Sequence, residues 1–199
     1  MQTLEMLAGT RVIVELPQAD PDDLIAAGEV LIQEGMAVWT LPPGRSHELD
    51  ALRQVFGPRV RLGIADLRSP DQVEQALAVQ PDLLLSPFAH ADLLAAASGV
   101  PLVLGALTPS EVAAALRLAP AAVQVLPCDA LGSLYARSLT GLFPDEPLIA
   151  TGKLERFQCE MWLDAGAGAV CPNGLVSTGD VEDPDLADLR RRAQSYRFH

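Results

Sequence analysis

Lys153 is the only lysine in a chain of 199 residues, and it directly follows a short apolar, β-branched run, LIATG, that begins at Leu148. An amine placed just beyond a strand end can grip an anionic group. Once neutral, it is also a nucleophile. A carboxylate nearby would move the protons. Glu15, between Val14 and Leu16, is placed to supply it, because side chains alternate along a strand and the apolar neighbours take the side facing the helices. The plainer reading, which the sequence favours, is a solvated loop lysine or a structural ion pair with Glu15.

The same alternation points Thr40 inward from between Trp39 and Leu41, and Gln124 inward from between Val123 and Val125. It also turns Asp66, in GIADL, toward the interior, since a charge on the helix-facing side would sit unpaired in apolar packing at a cost of several kcal/mol. Asp66, His90, Asp129 and Cys128 all fall at or just past strand ends, with a donor set that suits a divalent ion. No pair has metal-ligand spacing, however, so no metal is expected. His90 reads as the start of the fourth helix and Asp129 as a cap for the sixth. Cys128 beside Pro127 would be a nucleophile only if a helix N-terminus lowered its pKa, and ordinary packing is the commoner role.

These residues need a scaffold, and the apolar runs supply one. RVIVELP from Arg11, AVWTLP from Ala37, RLGIADL from Arg61, LLLSP from Leu83, LVLGAL from Leu102, AVQVLP from Ala122, LIATG from Leu148 and AGAVCPNG from Ala167 read as eight strands. Helical spacing fills the gaps, opened by Asp20-Pro21, Ser69-Pro70 and Thr108-Pro109, a polar cap followed by proline at the first helical position. Strands too apolar to have one face in water, each followed by a helix, predict a parallel sheet closed into a single (β/α)8 barrel over residues 1–199. A short helix near residues 2–8 would lead, and one near residues 185–195 would end the chain. AGAVCPNG superficially suggests a nucleotide loop, but no helix with a matching third glycine follows, so it reads as the eighth strand and its turn.

With 14 Lys and Arg against 26 Asp and Glu, the net charge is 14 − 26 = −12, a field that repels nucleic acid and anionic membrane surfaces. Three cysteines, Cys128, Cys159 and Cys171, form no CxxC pair and read as reduced cytoplasmic thiols. The opening MQTLEMLAGTR lacks the pattern of a signal peptide, and no run is long enough for a membrane span.

The order LGIADLRSPDQ, LLLSPFAHADLL, GVPLVLGALTPSEVAAAL, VQVLPCD and ATG resembles the 2-keto-3-deoxy-6-phosphogluconate aldolase family from its second strand to its seventh. LTPSE, residues 107–111, is the most specific piece, and the similar segments cover most of residues 11–176. The resemblance implies a (β/α)8 barrel, usually a homotrimer, that needs no cofactor and reversibly splits a 2-keto-3-deoxy sugar acid phosphate into pyruvate and an aldehyde. It also implies a Schiff-base lysine on the sixth strand and a proton-moving glutamate on the second. Those positions fall on Gln124 and Thr40. A carboxamide does not condense with a ketone, and a threonine hydroxyl is a poor general base near neutral pH. The family's arginine falls on Gly44, with Arg45 adjacent. At the phosphate end, the glycine pair after the seventh strand reads Gly152-Lys153, and Gly-Gly-Ser after the eighth reads Cys171-Pro172-Asn173, where proline removes an amide donor.

Two functions of different class follow. One is an aldolase-like lyase, impaired or repurposed toward a small 2-oxo acid, with Glu15 and Lys153 as candidate catalytic groups and Thr40, Arg45, Asp66, Gln124, Thr151, Gly152 and Asn173 as candidate ligand contacts. In its active variant Lys153 is the relocated amine. The other is a non-catalytic binding or assembly protein that retains only the scaffold.

Overall fold

The computed structural model describes residues 4–182 and 185–198. Its strands are β1 (Val14–Glu15), β2 (Val38–Leu41), β3 (Arg61–Ile64), β4 (Leu83–Leu85), β5 (Leu102–Ala106), β6 (Ala122–Val125), β7 (Leu148–Gly152) and β8 (Ala169–Pro172). They pair in parallel in sequence order, β1 to β8, and a parallel bridge between Val12 and Val170 closes the ring. The helices α1 (Leu24–Gln33), α2 (Leu49–Phe56), α3 (Pro70–Leu77), α4 (Ala91–Ala96), α5 (Pro109–Leu116), α6 (Ser133–Leu142) and α7 (Arg156–Ala165) connect them, and α8 (Gly179–Glu182) and α9 (Leu186–Ser195) complete the chain. This is the (β/α)8 barrel that the alternation predicts.

Every residue of β2, β4, β5, β6, β7 and β8 is buried, as a parallel sheet covered on both faces requires. The strand alternation divides that apolar surface into two clusters. Ile13, Val38, Leu83, Val103, Ala122, Ile149 and Ala169 fill the barrel interior, while Val14, Trp39, Leu62, Leu84, Leu104, Val123, Ala150 and Val170 pack outward against the helices. Leu4 and Leu7 join the interior cluster from a 3-10 turn at Glu5–Leu7. Leu4 lies against Gly168, at the N-terminal ends of the strands. Where the sequence suggests a helix near residues 2–8, the described residues form only this turn; residues 2 and 3 lie outside them. The lower barrel is therefore solid aliphatic packing, and polar inward positions occur only toward the C-terminal ends.

Helix starts follow local chemistry. Ser69 accepts from the Gln72 amide, and Thr108 and Glu111 form a reciprocal capping box with Pro109 at the first position. Asp20-Pro21 opens a turn instead, Asp23 N donating to Asp20 O at 3.0 Å, and α1 begins only at Leu24. Asp185 caps α9, whose Arg192 grips Asp180 of α8 with both guanidinium Nη atoms at 2.8 Å. Those hydrogen bonds hold the Asp180 carboxyl down to about 2. Above Val103, the inward position of β5 is Gly105. A Cβ there would stand 2.3 Å from the Pro87 carbonyl oxygen, so glycine lets the loop after β4 fold over the barrel mouth. No helix among the described residues is long and apolar enough to cross a membrane.

Candidate functional site

At the C-terminal ends of the strands, Glu15, Thr40, Gln124, Thr151 and Cys171 line an inner chamber of about 180 Å³ walled by Leu85, Pro87 and Leu126. Gln124 forms part of it, held at both ends. Its Nε2 donates to the Ser86 carbonyl across the end of β4 at 2.7 Å, and its Oε1 accepts from the Thr151 hydroxyl on β7 at 3.1 Å. One Nε2–H is left over. Thr40, 1 % exposed, has a buried Oγ1 with no partner among the described residues. A buried hydroxyl left unmet costs about 1–3 kcal/mol, so this atom is a natural contact for whatever enters the chamber.

Glu15 pairs in register with Thr40 and is half-buried. No described residue donates a hydrogen bond to it. Burial pushes its carboxyl up from the ordinary value, and Asp66 adds to that by like-charge repulsion. Asp66 lines the same chamber, but from its rim and not from within a strand. β3 ends at Ile64, so alternation no longer governs residue 66. Asp66 takes a left-handed conformation, φ 58°, and is exposed at the chamber rim. There Arg68 binds both its oxygens at 3.0 Å.

An outer chamber of about 450 Å³ shares Glu15, Pro42 and Asn173 with the inner one and adds Arg45 and Lys153. Lys153 is exposed, with no hydrogen bond or ion pair among the described residues, so the structural ion pair with Glu15 does not form. Gly152 is buried, φ 155°, and its carbonyl accepts from Leu154 N and Asn173 N at 2.8 Å, which ties the ends of β7 and β8 together. The Asn173 side chain is exposed near the Cys171 thiol, 3.8 Å away.

Arg45 lines the outer chamber but is engaged elsewhere. Its Nε and Nη2 bind Glu48 at 2.8 and 2.5 Å, Nη2 also donates to Ala19 O at 2.9 Å, and Nη1 donates to Pro17 O at 2.6 Å and Leu16 O at 3.5 Å. A guanidinium has five N–H donors, and these five contacts use them all. Arg45 thus braces the loops after β1 and β2 while forming part of the outer chamber's wall.

The residues weighed as metal ligands do not gather: among the described residues no three His, Cys, Asp or Glu side chains are placed to hold an ion. His90 does precede α4. Asp129 does not cap α6, whose N-cap is Gly132. Cys128 is fully buried in the outer core, donates to Val125 O at 2.9 Å, and burial pushes its thiol up to about 12. Cys159 and Cys171 are likewise buried and also rise to about 12 through burial. Since the thiolate is the reactive form, brief maleimide treatment of the native protein near neutral pH is expected to leave all three unlabelled by intact mass, with full labelling in denaturant. Fast labelling of native Cys128 would restore it as a nucleophile. Ser86 and Pro87 were not singled out in the sequence, and Cys171 was named there without an inward role. Alternation along the eighth strand marks Cys171 as inward; Ser86 acts through its carbonyl and leaves no mark.

A family profile described as KDPG and KHG aldolase matches residues 4–191. The 2-dehydro-3-deoxy-6-phosphogalactonate aldolase of Escherichia coli is 24% identical over 184 residues, covering 89% of this chain and 90% of that one. Among solved structures, the KDPG aldolase of Legionella pneumophila, with pyruvate captured as a covalent carbinolamine, superposes with a TM-score of 0.85 at 19% identity over 100% of this chain and 99% of that one. The Zymomonas mobilis aldolase with 3-phosphoglycerate gives 0.82 at 21% identity over 97% and 93%. Both likenesses bear on the fold, which is the barrel described above. The profile spans β1 to β8 and most of α9, and on that match the chain belongs to the KDPG and KHG aldolase family.

Proposed function

We propose that this barrel takes a small 2-oxo acid into its two chambers without a covalent link, and that it is an impaired or repurposed aldolase. The observation that carries the reading is the Gln124 amide, fixed between Ser86 O and the Thr151 hydroxyl in the inner chamber. An amide nitrogen has its lone pair delocalised into the carbonyl and does not attack a ketone, so no iminium forms there. The neighbouring Thr40 offers a hydroxyl where a proton-moving carboxylate is needed. Pyruvate is the natural probe, since the Legionella pneumophila relative captured it covalently.

Incubation with pyruvate and borohydride is expected to add no mass to the intact protein, and pyruvate release from 2-keto-3-deoxy-6-phosphogluconate is expected to stay at background. A second reading has its own support. Lys153 stands in the outer chamber with Glu15 and without an ion-pair partner, which suits a relocated amine. One adduct mapping to Lys153, with pyruvate release above background, would replace the first reading with an active lyase.

A further inference from the structure

We infer that Glu15 is a specificity-determining contact of this site: as the neutral acid it donates a hydrogen bond to the oxo oxygen of a 2-oxo acid whose carboxylate points outward to Lys153, so that binding takes up one proton. The inference rests on the 2-oxo acid reading of the two chambers and adds to it an orientation and a proton.

Glu15 is one of three residues that line both chambers. Every charged or titratable group facing it can be named. Asp66, across the rim, is an anion already held by Arg68. Cys171, on the adjoining β8, is a buried thiol kept neutral by that burial. Thr40, on the other adjoining strand, is uncharged. Arg45 has no N–H to offer, as all five are bound within its own loops. Among the described residues only Lys153 supplies a free positive charge here, and it lies in the outer chamber. An anion entering the inner chamber would therefore meet carboxylates and no available cation. A ligand carboxylate at the mouth meets an ammonium instead.

What the inner chamber offers is hydrogen-bond donors. The Thr40 hydroxyl is buried and unpartnered, Gln124 retains one Nε2–H, and Glu15 becomes a donor when protonated. Three donors lining one small chamber suit an oxo or hydroxyl oxygen. Burial and the Asp66 charge both favour the acid form of Glu15, and a ligand oxygen accepting from it favours that form further. The sign follows from this. Affinity is highest where Glu15 is protonated before binding, and it falls as pH rises between the free and bound pKa values, by about tenfold per unit for one coupled proton.

Calorimetry of pyruvate binding to the full chain, in buffers of different ionisation heat across about pH 5 to pH 9, counts the proton. The expected result is uptake of about one proton per site on the alkaline side, together with the falling affinity. Glu15→Gln keeps a donor and cannot titrate; this variant should take up no proton and show a flat pH profile. Propionate, which lacks the oxo oxygen, should bind more weakly than pyruvate to the wild type. Pyruvate binding by the wild type without proton uptake, or a pH dependence that survives Glu15→Gln, overturns the inference and leaves the 2-oxo acid reading standing. Failure of both proteins to bind pyruvate at every pH sinks the 2-oxo acid reading itself, and this inference with it.

Discussion

Gln124→Lys is expected to convert a protein that gains no mass from pyruvate and borohydride into one that gains a single pyruvate-derived group per chain, mapping to residue 124. The new amine would stand in the inner chamber among Leu85, Pro87, Thr151 and Glu15. Burial disfavours the ammonium form and so supplies the neutral nucleophile that Schiff-base formation requires. The substitution removes the bonds to Ser86 O and the Thr151 hydroxyl, at a cost of about 1–3 kcal/mol for the groups left unmet, which thermal denaturation will register. Trapping does not by itself restore turnover, because carbon-carbon cleavage also needs a carboxylate to move protons. Gln124→Lys combined with Thr40→Glu should release pyruvate on the order of 10²-fold faster than Gln124→Lys alone. If the folded Gln124→Lys protein forms no adduct, residue 124 does not face the ketone, and the argument for expecting the natural chain to be silent loses its basis.

The inward residues that sequence reasoning placed correctly share one property: each lies in a strand between two apolar neighbours. Glu15, Thr40 and Gln124 point inward because Val14, Trp39 and Val123 must meet the helices, and a period of two leaves no other arrangement. Thr108-Pro109 likewise announces its helix through a purely local capping box. Legibility stops where strands stop. Asp66 lies two residues beyond β3, where a positive φ and Arg68 set its direction. The bracing role of Arg45 was hidden for a related reason. Three of its acceptors are the main-chain carbonyls of Leu16, Pro17 and Ala19, between 26 and 29 residues away, and backbone acceptors carry no residue-type signal. Ser86 is hidden in the same manner, since it holds Gln124 through its carbonyl. The barrel and the floor of its site are thus written in side-chain type, while the loops above them depend on main-chain geometry that only the structure reveals.

Arg45→Ala should unfold the protein at a markedly lower temperature, because its guanidinium is a structural brace. The Arg45 and Glu48 side chains are only 10% and 14% exposed, and truncation would leave the Glu48 carboxylate facing three carbonyls that lost their donor. Breaking a buried pair in this way costs about 3–5 kcal/mol, which in a chain of this size lowers Tm by on the order of 10 °C. The interpretation has an internal check. If the cost comes from an orphaned charge, Arg45→Met with Glu48→Leu should recover part of the loss, since removing both partners is far cheaper than removing one. Pyruvate affinity measured well below the lowered Tm gives the decisive contrast. A brace predicts that binding survives in Arg45→Met with Glu48→Leu to within a few-fold. Intact stability with pyruvate binding abolished would instead assign Arg45 to the ligand, and would require its five internal hydrogen bonds to open when the chambers fill.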